Sequence, residues 1–236
     1  MLKSIKRFYK DCVAAPRDGG FAILLDGKAV KTPGARPLAL PAQPLAEAVA
    51  GEWRDQGDQV LPSTMPMTQL ASTALDRVGP ERAHMLAQLM NYAGTDLLCY
   101  RAETPTDLVA RQTAAWQPLL DWAAQALDAP LATTTGLTAM AQPAESLAAL
   151  RRHIEAYDDW RLTALQSATA AMGSLILGLA LAEGRLDADA AFEASQVDET
   201  YQIEQWGEDW EAADRRAELK RDIVAAERFL GLLNPS

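Results

Sequence analysis

Few residues of this sequence could do chemistry. Its histidines, His84 and His153, sit in patterns that read as helical and lack a positioned partner, so each reads as a surface or cap residue rather than a base. Cys12 and Cys99 are far apart, fit no metal or redox spacing, and read as thiols of a reducing compartment. There is no G-x-G-x-x-G, no G-x-x-x-x-G-K-[ST], no H-E-x-x-H and no G-x-S-x-G. Gly173 and Gly178 enclose four residues, but no lysine follows to meet a phosphate. What remains is carboxylate. Residues 196–223, QVDETYQIEQWGEDWEAADRRAELKRDI, crowd acids and two tryptophans together without a histidine, cysteine or serine. Carboxylates alone could hold Mg²⁺ or serve a glycosidase, but helical spacing puts these on different faces. The expectation is no catalytic residue, no metal site and no cofactor.

The spacing of that stretch says more. If 197–213 is one helix, Ile203, Trp206, Trp210 and Ala213 share a face, the expected core face. Glu199 falls on it one turn earlier and would need a partner if buried. Glu204, Glu208 and Glu211 form a second face below Val197 and Tyr201, and Asp198, Gln202, Gln205 and Asp209 a third. Glu211 can pair with Arg215 at i+4, and Gly207 allows a bend. By spacing alone the polar faces are either solvated or a docking surface.

The whole chain limits what such a surface could meet. Its 236 residues suffice for one large domain or two modest ones. Apolar residues make up 49% and charged residues 23%, a globular composition, with a formal charge of −10. That charge argues against nucleic acid and anionic membrane surfaces as partners, since both are held through basic patches. It favours a basic or aggregation-prone protein. The N-terminal MLKSIKRFYKDC is basic without an apolar core and short for a transit peptide, so it reads as no targeting segment; Phe8, Tyr9 and Val13 suggest that it joins the fold at once. Residues 162–182, LTALQSATAAMGSLILGLALA, carry no charge and are long enough to span a bilayer. Gln166, Ser167, Thr169 and Ser174 interrupt them, and six alanines dilute them. We expect one buried central helix, approached closely at Gly173 and Gly178, and no stable membrane insertion.

Turn signals crowd the first eighty residues. After Arg17–Gly20, Phe21, Ile23 and Leu25 alternate with Ala22, Leu24 and Asp26, a strand period. Asp26-Gly27 is a hairpin turn; KAVKTP returns as a strand, and RPLALP is a further short strand limited by its prolines. A helix follows, with Leu45, Val49 and Trp53 every four residues and Gly57 beyond its end. A second helix, 67–78, is expected to stop at Gly79-Pro80. Thereafter the pattern is helical, with Pro118 as a kink or break and 130–143 as the one extended interruption. The expected fold is α+β: a small β-rich domain with a hairpin and helices over 1–80, then an all-α domain over 81–236.

Seven strings then stand out in order: KRFYKD (6–11), LLDGKAVKTP (24–33), Glu52-Trp53, MPMTQLASTALDRV (65–78), GTDLLCYRA (94–102), GSLILGLALAEG (173–184) and DETYQIEQWGEDWEA (198–212). In these the sequence resembles the ATP12 family of F1-ATPase assembly chaperones, over nearly its whole length. The resemblance implies a monomeric, non-enzymatic factor that holds the free F1 α subunit until it pairs with β. It makes Asp198, Glu199, Tyr201, Gln202 and Glu204 candidates for client contact, with Trp53, Trp206, Gly207 and Gly173 structural. The compact N-terminus looks like that of a bacterial, cytoplasmic member; eukaryotic relatives would work in the mitochondrial matrix. Two other readings are an acidic adaptor for a different basic protein and an enzyme acting through unpaired carboxylates.

Overall fold

The computed structural model describes residues 5–17, 19–136 and 140–233. Residues 1–4 of the N-terminal stretch, Asp18 of the expected Arg17–Gly20 turn and 137–139 of the expected extended interruption lie outside the described residues. The chain gathers into two compact units: Met1–Arg82 with Asp159–Ala164 and Arg228–Ser236, and Ala83–Asp158 with Leu165–Glu227.

The first unit holds strands β1 (Ile5–Lys6), β2 (Cys12–Arg17), β3 (Gly20–Leu25), β4 (Lys28–Ala29), β5 (Ala39–Leu40) and β6 (Gln59–Val60), with helices α1 (Gln43–Arg54) and α2 (Pro66–Thr73). β2, β3 and β4 run antiparallel in that order, β5 pairs with β3, and β1 pairs with β6. Leu25 faces Lys28 across the hairpin, and Asp26 (φ 47°) and Gly27 (φ 80°) are both left-handed, the turn that the Asp-Gly dipeptide encodes. β2 went unpredicted, because CVAAPR does not alternate and carries Pro16; it lies at the sheet edge, where proline is tolerated. Helix α1 buries Leu45, Ala46, Val49 and Ala50.

Beyond them Trp53 is half-buried, its ring 5.7 Å from that of Tyr9, whose hydroxyl donates to the Trp53 carbonyl at 2.6 Å. Glu52 points to the start of α2. That helix has no capping side chain of its own; Glu52 instead accepts from the amides of Met67 (2.7 Å) and Thr68 (2.8 Å) and from the Thr68 hydroxyl (2.7 Å). Burial pushes the Glu52 carboxyl up, against those hydrogen bonds. Asp76 ties the other end of the same segment to the loop after β4, accepting from Thr32 Oγ1 (2.6 Å) and the Gly34 amide (2.7 Å).

The expected stop at Gly79-Pro80 does not occur. A wide turn, Ala74–Val78, runs into α3 (Gly79–Gly94), which kinks at Glu81 (φ −112°, ψ 18°). Proline lacks an N–H and crowds the preceding turn, and the wider turn absorbs both defects without ending the helix.

In the second unit the structure places β7 (Tyr100–Arg101), α4 (Thr106–Ala126), β8 (Thr134–Thr135), α5 (Ala144–Glu155), α6 (Asp159–Met172), α7 (Leu175–Ala182), α8 (Ala188–Ser195), α9 (Val197–Trp206) and α10 (Trp210–Leu233); the first residues of α6 and the last of α10 belong to the first unit. The second half is therefore not wholly helical: β7 and β8 pair in parallel. Helix α4 runs through Pro118 without a break. The single apolar helix expected over 162–182 is two helices, parted at Gly173 (φ 68°), after which Ser174 caps α7 through its side chain. Among the described residues no helix is long and apolar enough to cross a membrane.

Helix α7 is buried throughout Leu175–Leu181, and a Cβ on Gly178 would come within 2.4 Å of Thr169 Oγ1 on α6. Its first amides have no water to meet. Asp96, fully buried, meets them: Oδ1 accepts from Ser174 Oγ (2.7 Å) and the Leu98 amide (3.1 Å), and Oδ2 accepts from the Ile176 amide (3.1 Å). Ser174 Oγ in turn accepts from the Leu177 amide at 3.0 Å. Desolvation lifts the Asp96 carboxyl from 3.8 to about 6 despite these bonds.

Two outcomes test this account. Because the Asp96 pKa is raised on folding, the stability it contributes is complete below about pH 4 and lost as pH rises through about 6. Relative to Asp96→Asn, which cannot titrate, the wild type should therefore lose up to about 3 kcal/mol between pH 4 and pH 7. A difference that is flat in paired urea titrations, or that grows with pH, contradicts the assignment. Separately, the Trp53 indole Nε1 is buried with no hydrogen-bond partner among the described residues. Trp53→Ala should cost about 2–3 kcal/mol in lost packing, whereas Trp53→Phe keeps a ring against Tyr9, removes the orphan donor and should cost under about 1 kcal/mol. Equal losses in the two melting curves would refute this reading of the ring.

Candidate functional site

Helix α9 carries the five candidate contact residues, and α4 fixes its position. Tyr201 is buried; its hydroxyl donates to Asp107 Oδ1 at 3.1 Å, and the Arg111 guanidinium lies 5.3 Å from its ring centroid. Arg111 also donates to Glu204 Oε2 at 2.7 Å. Asp198 Oδ1 accepts from Gln112 Nε2 at 2.7 Å, and Gln112, itself buried, accepts from the Ala102 amide at 2.7 Å through Oε1. Asp198 and Glu204 are thus held against α4, Glu199 is half-buried, and Gln202 is exposed. The spacing had put Asp198 and Glu204 on faces away from the core, yet each brackets Tyr201 with a bond across to α4.

The core face expected across Ile203, Trp206, Trp210 and Ala213 does not exist. It required a continuous helix, and the chain turns at Gly207 (φ 84°, ψ 165°) between α9 and α10. Ile203 is half-buried, while Trp206 is 78% exposed and Trp210 73% exposed. Trp206 is therefore not a core residue. The aromatic buried on α9 is Tyr201, two residues before Ile203 and off the face that the 3.6-residue period selects, because α9 packs on α4 through its Asp198–Tyr201 side.

Beside α9, an open groove of about 970 Å³ is lined by Ala115, Leu119, Leu186, Phe192, Arg216 and Lys220 among others. Both cations lie over the Phe192 ring, at 5.7 and 5.5 Å. Both also have acidic partners, Glu208 at 3.5 Å and Asp189 at 2.8 Å. Arg111, Gln112 and Phe192 were absent from the sequence candidates, since nothing local in their strings marks them; each matters only through a residue some 20 to 90 positions away. Among the described residues, no group of three or more His, Cys, Asp or Glu could hold a metal ion. Burial raises both thiols, Cys12 to about 11 and Cys99 to about 12, away from a reactive thiolate.

Comparison with known proteins gives the family of the chain. Residues 6–124 match the family described as ATP12 chaperone protein. The fold superimposes on the crystal structure of Atp12 from Paracoccus denitrificans with a TM-score of 0.93 and 41% identity, covering 97% of this chain and 98% of that one. The chain belongs to the ATP12 chaperone family. An aspartate-to-lysine mutant of P. denitrificans Atp12p matches equally well, with a TM-score of 0.93 over 97% of this chain and 98% of that chain at 41% identity. A mitochondrial atp12 protein of Schizosaccharomyces pombe is 27% identical over 216 residues, spanning 86% of this chain and 74% of its own length. The ATP12 family is described as one of chaperones.

The geometry separates the acids by their structural cost. Asp198→Ala leaves the buried Gln112 amide without its acceptor and should lower stability by about 1–3 kcal/mol. Glu204→Ala breaks a half-exposed ion pair, worth under about 1 kcal/mol, and Trp206→Ala should change stability by less than about 0.5 kcal/mol. Urea unfolding of the three variants checks the order; a Trp206→Ala loss matching that of Asp198→Ala would mean the tryptophan is packed.

Proposed function

We propose that this ATP12-family protein is an assembly chaperone of F1-ATPase that binds the free α subunit as a monomer, and keeps it from aggregating until β replaces the chaperone. The observation that carries the reading is the chain-long match to Atp12 of P. denitrificans at 41% identity. The physical setting supports it. A lone subunit exposes the apolar surface that its partner will cover, and a patch of that size aggregates. A holdase must cover the patch and still release it. Mixed apolar and electrostatic contacts suit that task, since charge sets encounter rate and specificity without requiring extreme affinity. The bacterial cytoplasm is the proposed place of work.

The test is aggregation of isolated F1 α subunit, followed by light scattering. An equimolar amount of the protein should suppress scattering, and added β subunit should release α into an α–β complex visible by gel filtration. Unchanged scattering at several-fold molar excess would reject the α subunit as client. Suppression that β cannot reverse would reject the assembly role.

A further inference from the structure

Two large aromatic side chains stand in water where the chain turns. Trp206 ends α9 and Trp210 begins α10; they are 78% and 73% exposed, on either side of Gly207. Burial of side chains like these is among the strongest apolar contributions available to a fold, and this fold leaves both out. Looseness of the segment does not explain their exposure. The Gly207 amide donates to the Ile203 carbonyl at 2.8 Å, closing α9, and Asp209 Oδ1 accepts from the Ala212 amide at 2.9 Å, opening α10. Arg216 bridges the bend, reaching Thr200 on α9 at 3.4 Å and Glu208 before α10 at 3.5 Å. The two tryptophans are presented by a braced elbow.

The charge around them leans negative. From Val197 to Asp214 there are seven carboxylates and no lysine or arginine. Some are spent on internal partners, as Asp198 on Gln112, Glu204 on Arg111, Glu208 on Arg216 and Asp209 on the Ala212 amide, but acids still outnumber the cations Arg111, Arg215 and Arg216, and Glu211 and Asp214 beside Trp210 are exposed. Exposed aromatics ringed by acid fit a partner of complementary kind: apolar side chains flanked by lysine or arginine, whose cations can also lie on the indole faces.

We infer that the α9–α10 elbow is the docking surface for the client, with Trp206 and Trp210 as apolar anchors for a basic-flanked apolar segment of the protein it chaperones. The inference rests on the proposed α-subunit reading and adds to it the place and chemistry of contact. It reassigns the tryptophans from the fold to the interface, and makes the nearby acids the source of orientation and salt dependence.

The experiment measures binding of isolated F1 α subunit to the full chain by biolayer interferometry, at low and high NaCl, alongside thermal unfolding of each variant. Trp206→Ala/Trp210→Ala should melt within about two degrees of wild type, as exposed substitutions do, and should bind α at least tenfold more weakly. Glu211→Lys/Asp214→Lys keeps both tryptophans; its binding should fall at least threefold at low salt and converge on wild type at high salt. The charge-reversal pair keeps the test decisive if the alanine pair melts early. Wild-type binding with both variants within twofold of it overturns the elbow and leaves the α-subunit reading standing. No wild-type binding overturns both. Sedimentation showing a wild-type dimer that the alanine pair converts to monomer would assign the tryptophans to a second copy of this chain, and would also overturn the inference.

Discussion

A helix buried on every side has no wet end, and that constraint organises the second unit. Helix α7 offers seven successive buried residues from Leu175 to Leu181, so the amides at its start cannot turn to solvent. Asp96 and Ser174 answer them together. The carboxylate takes the Ile176 amide and the Ser174 hydroxyl, the hydroxyl takes the Leu177 amide, and Leu175 adds its own amide to the stabilisation of the carboxylate. The cost is a desolvated carboxyl whose pKa rises to about 6. The gain is a fixed starting point for α7, against which α4 and α8 pack. Helix α4 then fixes α9 through Tyr201, Asp198 and Glu204. The position of the exposed elbow is inherited, step by step, from one satisfied helix terminus.

The same device recurs, and it accounts for part of the acidity. Glu52 serves the start of α2 from a neighbouring helix, and Glu227 on α10 accepts from the Ala188 amide at the start of α8, which Asp187 also caps. Negative charge near a helix N-terminus is favourable on both hydrogen-bonding and dipole grounds. A formal charge of −10 is therefore not simply a solvated skin. Several carboxylates act inside the fold as acceptors for backbone, Asp209 at the start of α10 among them, while Glu211 and Asp214 stand exposed after Trp210.

Local chemistry was legible in the sequence wherever it was short-range. The Asp26-Gly27 turn, the buried stripe of α1 and the α+β class follow from dihedral preference and from period. What period could not see was interruption. Over 162–182 and 197–213 the apolar and polar spacing stays helical across a glycine, yet Gly173 and Gly207 adopt φ of 68° and 84°, and each ends one helix before another begins. One misplaced break turned Trp206 from an exposed residue into an expected core residue. Long-range pairing was equally invisible. Several of the strings that carried the resemblance meet one another: Glu52 reaches the string at 65–78, Thr32 reaches Asp76 at its far end, and Asp96 reaches the string at 173–184. Each string alone shows a carboxylate or a run of small and apolar residues; only the fold shows which carboxylate each terminus needs.

That pairing bears on how a binding surface can be both exposed and exact. Large apolar side chains left in water invite collapse onto the protein's own core or onto another molecule. A flexible loop carrying Trp206 and Trp210 would be free to do either, and would lose more freedom on binding. Here the elbow is short, closed by bonds at Gly207 and Asp209 and spanned by Arg216. The acids around it repel acidic neighbours and other copies of the same surface. The bonds at the elbow hold the aromatics away from the core, and like charge disfavours two copies meeting there. On the proposed reading, a partner is admitted only if it brings apolar surface and positive charge together. For a chaperone that, on that reading, holds one unassembled subunit among many folded proteins, the double requirement matters more than the strength of any single contact.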